Sequence, residues 1–432
     1  MTNTYEINEN GQMEIGGVNV LSLKEKYGTP LYVFNQNKIE EIASVFSNTL
    51  KSEYGEGLIS YASKAFSCKE IYRIMDNLGL GTDTVSIGEL YTAVSVGFNT
   101  EKVIFHGNNK SIEELSFAVK TGVKYIVLDS VYEAQLLNDI ARETGKVQGV
   151  LIRVNPGVEA HTHNYIQTAK PDSKFGFLIS NGDAKEAIKS VLALKNLNLL
   201  GLHCHIGSQI FEENSFLLAT DIMLDFYKKI KDEFDYSFSV LNLGGGFGIK
   251  YIDSDPTFTL FDYQLFIKKI INEVKLKVKN NGLEKPFLIF EPGRSIVGKA
   301  GLTLYSAGYT KEIKGIKNYL AVNGGMSDNP RFALYGAKYT VLAAERLLDK
   351  KDTKYTIAGK CCESGDIIAE NVMLPKAKYG ETIAVLSTGA YNYSMASNYN
   401  RNLIPPVVFI KNGKDRLVVK GQTLDDLIRN DL

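Results

Sequence analysis

Leu58-Ile59-Ser60-Tyr61-Ala62-Ser63-Lys64 decides the fold. The run is apolar up to its lysine and reads as a buried strand with an amine at its C-terminal end. A charge there is costly unless it is solvated, paired or lost. One use for it is covalent, because a partly desolvated lysine has a lowered pKa and can form a Schiff base. The competing reading is a strand-end lysine whose head reaches solvent. The segments that follow choose between them.

Working outward, further apolar strand candidates fall at 80–84, 102–107, 125–129, 149–156, 199–206, 240–244 and 287–291, with the first at 58–65. Between most of them lie helical periodicities: Ile71–Leu78, Glu89–Val96, Ile112–Val119, Val131–Ala141, Ala184–Leu194, Phe216–Ile230 and Phe261–Val278. Ser111 with Glu114 forms a capping-box pattern. Alternating strands and helices predict parallel pairing, and eight units are the count of a (β/α)8 barrel. An open doubly wound sheet would favour a Gly-x-Gly-x-x-Gly turn after an early strand, and none is present.

Beyond about residue 300 the rhythm changes to strands with short connections: 301–309, 318–322, 354–357, 382–386 and 406–410. Lys411-Asn412-Gly413-Lys414 predicts a hairpin turn into Arg416–Val419. The expected organisation is a barrel over 36–298 and a β-rich domain, barrel or sandwich, built from 1–35 and 299–432. The N-terminal segment joins that domain, and Gly11–Leu21 is the candidate for its added strand.

Active sites in such barrels lie at the C-terminal ends of the strands, and phosphate often binds after strands seven and eight. Strand one ends at Lys64, strand six in His203-Cys204-His205-Ile206-Gly207-Ser208, strand seven in Gly244-Gly245-Gly246, and strand eight in Glu291-Pro292-Gly293-Arg294. The glycines let backbone N–H groups approach an anion, although a tight turn explains a glycine triplet equally well. Glu291 is either half of a salt bridge, with Arg294 or another barrel residue, or a partner for a protonated ring nitrogen. Arg294 could bind a carboxylate through both arms of its fork.

His203 and His205 share a strand face by period two. With His161 and His163 they invite a zinc reading, but no carboxylate stands out as a further ligand. A satisfied barrel histidine is the better reading of His203, and ring stacking that of His205. Cys362, between Cys361 and Glu363, is a candidate acid–base thiol, although a simple loop explains the isolated segment.

Composition narrows the classes. Lys plus Arg and Asp plus Glu are each 49, which gives no support for nucleic acid or an anionic membrane as partner. No apolar run reaches the ~18 residues of a membrane span. The start, Met1–Glu6, has no basic stretch followed by an apolar one, so no secretory signal is expected. Four cysteines without a Cys-x-x-Cys pair predict a reducing cytoplasm rather than a disulfide framework.

Together these segments resemble the fold type III pyridoxal-phosphate decarboxylases, and among them the diaminopimelate decarboxylases. The resemblance spans nearly the whole chain. It rests on Tyr61–Ala65, Val85–Leu90, His203–Gln209, Gly244–Gly246, Glu291–Arg294, Arg331–Tyr335, Cys362–Asp366 and Gly389–Tyr391. It implies that Lys64 carries pyridoxal phosphate, that His205 stacks on its ring, and that Glu291 keeps the ring nitrogen protonated. Ser208, Gly245, Gly246, Gly293, Arg294 and Tyr391 would surround the phosphate or the substrate. Arg294, Arg331 and Tyr335 would meet substrate carboxylate, and Glu363 its distal ammonium. Cys362 would donate a proton. Cys362 and Glu363 would complete the partner subunit's site, which implies a homodimer with shared sites.

No metal is expected. The implied substrate is an amino acid, meso-2,6-diaminopimelate, decarboxylated to L-lysine as the last step of lysine biosynthesis. Arg331 would attract a distal carboxylate and repel a lone distal ammonium. The alternatives are a sibling decarboxylase of ornithine, arginine or carboxynorspermidine, a barrel metallohydrolase, and a silent binding protein. The last is disfavoured because Lys64, His205, Glu291 and Cys362 are all present. Phe66, Ile87 and Phe332 depart from the pattern. Phe332 bears on the turn that presents Arg331.

Overall fold

The computed structural model describes residues 5–158 and 173–432. The chain divides into two compact units: Ile42–Gly248 with Phe258–Gly293, and Met1–Glu41 with Ile249–Thr257 and Arg294–Leu432.

The first unit holds eight strands: β1 (Gly57–Ala62), β2 (Gly81–Thr84), β3 (Val103–Phe105), β4 (Tyr125–Leu128), β5 (Gln148–Asn155), β6 (Leu197–His203), β7 (Val240–Asn242) and β8 (Phe287–Phe290). Each pairs in parallel with its neighbours in chain order, and β8 pairs with β1, so the sheet closes. All seven expected helices lie between them, and Ser111 and Glu114 form the expected capping box.

The barrel interior carries an apolar layer of Leu58, Ile104, Tyr125, Val127, Leu151, Val240 and Ile289. Strand side chains alternate, so the next inward position is two residues further on. There the sequence switches character: Ile104 is followed by His106, Leu151 by Arg153, Val240 by Asn242 and Ile289 by Glu291. One turn of the pleat separates the packed core from a polar layer at the C-terminal end.

The second unit is β-rich. Leu31–Asn35 is an interior strand of its sheet, antiparallel to Gly301–Ile313 and parallel to Val407–Lys411. Gly301–Ile313 also pairs with Lys317–Val322 and Thr382–Leu386. The hairpin 407–419 turns at Asn412-Gly413, both with positive φ, as the sequence predicts. The strand expected within Gly11–Leu21 is different. Met13–Ile15 and Val18–Asn19 form a small separate sheet with Glu6–Ile7. Met13, Ile15 and Val20 instead pack into the core beneath Leu31 and Val33. The run Leu31–Asn35, which has four buried residues in a row, is what joins the main sheet.

Candidate active site

Glu291, just past β8, is the centre of the barrel's polar layer. Its Oε1 accepts from His106 Nε2 and Asn242 Nδ2, both at 2.8 Å, and its Oε2 lies 3.3 Å from His203 Nε2. All four side chains are buried. Burial pushes a carboxylate up, but the two imidazoles beside Glu291 and their hydrogen bonds hold it well below the usual range. Burial also lowers both imidazoles, His203 to about 3, so both rings are neutral, and His106 acts as an N–H donor. Burying a carboxylate costs several kcal/mol, and these donors offset it. Arg294, the salt-bridge partner considered from sequence, donates from its Nη1 to Tyr251 Oη at 2.5 Å.

A second buried carboxyl, Asp83, follows the opposite course. Burial first, and the charge of Glu291 second, push it well above the carboxylate range, while Lys64 acts against them. Two nearby carboxyls with pKa values driven apart divide into a stable anion and a neutral acid.

Lys64 lies beyond the strand rather than on it. β1 ends at Ala62, and Lys64 sits on a single 3-10 turn, Ser63–Ala65. Ala62 opposite Asp83 is the last pair of the β1–β2 ladder, and β8 stops at Phe290. The lysine is exposed between buried Ser63 and Ala65, which corrects the expectation of a desolvated amine on the strand. Ser63 Oγ donates to Glu89 at 2.9 Å, and Glu89 also accepts from Val85 N at 2.8 Å. That pair ties the lysine turn to the loop after β2.

The glycine turn after β7 is a packing requirement as well as an opening. A Cβ on Gly245 would stand 2.0 Å from Glu291 O, and one on Gly246 2.4 Å from Gly207 O. Gly246 also has φ +119°, where side chains are rarely tolerated. The turn is pinned to the Ser208 loop: Ile210 N donates to Gly246 O, and Gly248 N to Ile210 O, both at 2.9 Å. Gly245 N donates to His205 Nδ1 at 3.3 Å. Burial, with Lys64 second, holds His205 well below its ordinary range, so its ring is neutral. Gly293 brings the end of β8 against β1, because a Cβ there would meet that of Ala62 at 2.7 Å.

The remaining candidates belong to the β-rich unit. Tyr391, at φ +69°, holds its ring 4.7 Å from the Arg294 guanidinium and 5.1 Å from that of Arg331. A tyrosine in the left-handed region costs about 1–3 kcal/mol, strain that clusters at functional positions. Arg331 also lies over Tyr335, at 5.5 Å. It is buried, its Nε has no hydrogen-bond partner, and it enters no ion pair among the described residues. Arg331 opens the short helix Arg331–Tyr335; Phe332 is second and Pro330 caps it, so a proline precedes the turn. Cys362 and Glu363 are exposed on a turn.

Sequence reasoning missed His106, Asn242, Asp83 and Arg153. Each occupies an inward position at the end of a barrel strand, and the period-two step beyond an apolar residue is the signal that finds them. His106, His203 and Glu291 also bring their ligand atoms within 4.8 Å of one another. This differs from the histidine pairs considered for zinc. His161 and His163 lie outside the described residues.

Residues 38–298 match the family described as "Pyridoxal-dependent decarboxylase, pyridoxal binding domain". The chain belongs to the pyridoxal-dependent decarboxylases. The diaminopimelate decarboxylase of Bacillus subtilis is 48% identical over 99% of this chain and 97% of its own length. That of Staphylococcus aureus is 45% identical over 99% of each. The crystal structure of diaminopimelate decarboxylase from M. jannaschii in complex with L-lysine superposes with a TM-score of 0.91, at 34% identity over 99% of this chain and 97% of that one. The barrel of this decarboxylase fits pyridoxal phosphate on its own chemistry. Glu291 is a buried, ionised, acceptor-only group suited to a protonated ring nitrogen, and Lys64 supplies an exposed amine at the same strand ends. Among the described residues, no helix is long and apolar enough to cross a membrane.

Proposed function

We propose that this decarboxylase removes carbon dioxide from one amino acid centre of meso-2,6-diaminopimelate and releases L-lysine, the last step of lysine biosynthesis. Bound pyridoxal phosphate supplies the electron sink for the pair left behind by carbon dioxide. Lys64 would hold it through its amine, Glu291 its ring nitrogen, and His205 its ring face. Ser208, Gly245, Gly246, Gly293, Arg294 and Tyr391 would surround phosphate or substrate. Cys362 gives its S–H proton to the carbon that has lost carbon dioxide.

The observation that carries the choice of substrate is Arg331. A buried guanidinium with no carboxylate partner of its own is costly unless an outside anion pairs with it. Diaminopimelate brings a second carboxylate to it; ornithine and arginine bring none. Glu363 would take the distal ammonium and Tyr335 would support the carboxylate contact.

Cys362 and Glu363 stand exposed on their turn, which supports a homodimer in which they complete the partner's site. Four free cysteines support a reducing cytoplasm. The test is a substrate panel on the purified, cofactor-loaded protein. Lysine should be released from meso-diaminopimelate and no amine from ornithine or arginine; amine from either sibling substrate at a comparable rate sinks the assignment. Mixing inactive Lys64→Ala and Cys362→Ala chains should restore about a quarter of wild-type activity, because half the dimers carry one intact shared site. No recovery after subunit exchange would refute shared sites.

A further inference from the structure

Asn400 and Arg401 have φ +51° and +57°, and are the one consecutive pair of non-glycine residues at positive φ among those described. Asparagine tolerates the left-handed region better than most residues, arginine poorly. Something must hold the pair there. Arg401 is held from outside: its guanidinium donates to Leu427 O at 2.7 Å and to Asp431 at 2.8 Å, on the C-terminal helix and tail. Asn398 adds a bond to Gln422 at 2.6 Å.

The side chain of Asn400 points the other way. Its Oδ1 accepts the backbone N–H of Cys362 at 2.7 Å. Its neighbour Tyr399 places its hydroxyl 3.5 Å from Glu363 Oε2. Asn402 Nδ2 donates to Cys361 Sγ at 3.4 Å. Three residues of one strained loop therefore touch three successive residues of the thiol turn. From within, the same turn is held by Asp366, whose carboxylate accepts from Cys361 N at 2.7 Å and Met326 N at 2.6 Å.

We propose that Asn400 is a positioning residue for Cys362: its left-handed backbone aims an amide oxygen at the Cys362 N–H, and the C-terminal helix anchors that loop. This rests on the reading of Cys362 as the proton donor. An exposed turn would otherwise sample many orientations, and transfer of a proton to one face of a carbon needs one of them.

The test separates the amide from the backbone. Asn400→Gly keeps the left-handed conformation and removes the oxygen; Asn400→Asp keeps both. The cofactor-loaded variants turn over meso-diaminopimelate in D2O, and the stereochemical purity of the deuterium at the new C–H is read beside kcat and KM. Asn400→Gly should lower kcat about tenfold with KM within about twofold, and should erode that purity. Asn400→Asp should resemble wild type. Wild-type kcat and purity in Asn400→Gly beside an inactive Cys362→Ala overturns the inference alone. So does Asn400→Asp as impaired as the glycine variant, or a loss of thermal stability with purity intact. Full turnover by Cys362→Ala overturns the reading of the thiol, and the inference with it.

Discussion

The two units place their charges differently. In the barrel, Glu291 is buried beside His106, Asn242 and His203 of the same unit, the first two donating to it. In the β-rich unit, Arg331 is buried without a carboxylate, and Cys362 and Glu363 are exposed. A group satisfied within its own unit sets the electrostatics of a site before anything binds. A group left unsatisfied among the described residues is open to a partner that arrives later, such as a substrate anion.

The sharpest way to break that division is at its barrel side. Lys64→Ala should abolish turnover and the visible absorption band that borohydride removes from the wild type. Glu291→Gln should lower kcat about 10²- to 10⁴-fold while leaving the fold intact, because an amide does not hold a protonated ring nitrogen. Wild-type kcat in Glu291→Gln would mean that the buried anion is only structural.

On the β-rich side the expected effect is on binding. Arg331→Gln should raise KM for meso-diaminopimelate about 10- to 100-fold, the worth of one charge-assisted hydrogen bond. The same change should relax exclusion of substrates with a lone distal ammonium. An unchanged KM would remove Arg331 from the substrate and leave the reading of diaminopimelate without its electrostatic basis.

The sequence made the barrel legible because hydrophobic period and strand count are local, repeated signals. Eight apolar runs stand apart, and all eight are strands. Strand ends were less legible: the ladder partner decides where Ala62 stops, and that partner, Asp83, belongs to another strand, β2. Lys64, Glu291 and the glycine turn stood out because their residue types are odd after apolar runs. His106 and Asn242 did not, since one histidine or asparagine past a short strand is unremarkable until the barrel closes and brings both to Glu291. The strain at Tyr391 had no local signal at all, because a tyrosine does not announce a positive φ.

Neutral His106 is the next place to press. His106→Phe removes one of the two donors to Glu291 Oε1 and leaves a buried lone pair unmet. We expect kcat to fall about tenfold, and the pH at which activity is lost on acidification to move upward as Glu291 gains a proton more easily. His106→Gln, which restores an N–H donor, should recover most of both. A fall in kcat with an unmoved pH limb would assign His106 to packing instead.

The smallest effect contrasts the units directly. The three described histidines, His106, His203 and His205, all lie in the barrel unit. His203 is lowered from its ordinary 6.5 to about 3 by burial, and His106 is lowered by the same cause. Below pH 6.5 the unfolded barrel therefore takes protons that the folded barrel refuses, and stability is lost as pH falls toward 3. Each such histidine, His205 included, contributes a slope of about 1.4 kcal/mol per pH unit; Asp83, which the folded barrel keeps protonated, opposes them by one proton and is outnumbered. In the β-rich unit, burial raises Asp328 to about 6. There the folded state holds a proton that the unfolded state has released, so stability is gained as pH falls through 6 and lost as it rises. Denaturant-dependent hydrogen exchange of the cofactor-free protein at about pH 6 and about pH 5 reads both units at once, above the range in which most carboxylates titrate. Barrel amides should lose protection free energy over that step and β-rich amides should gain it. His203→Asn should flatten the barrel slope by about one proton, and Asp328→Asn should remove the opposing gain. Slopes of one sign in both units would mean that the charges of the two are governed by the same terms, and the division drawn between them would fail.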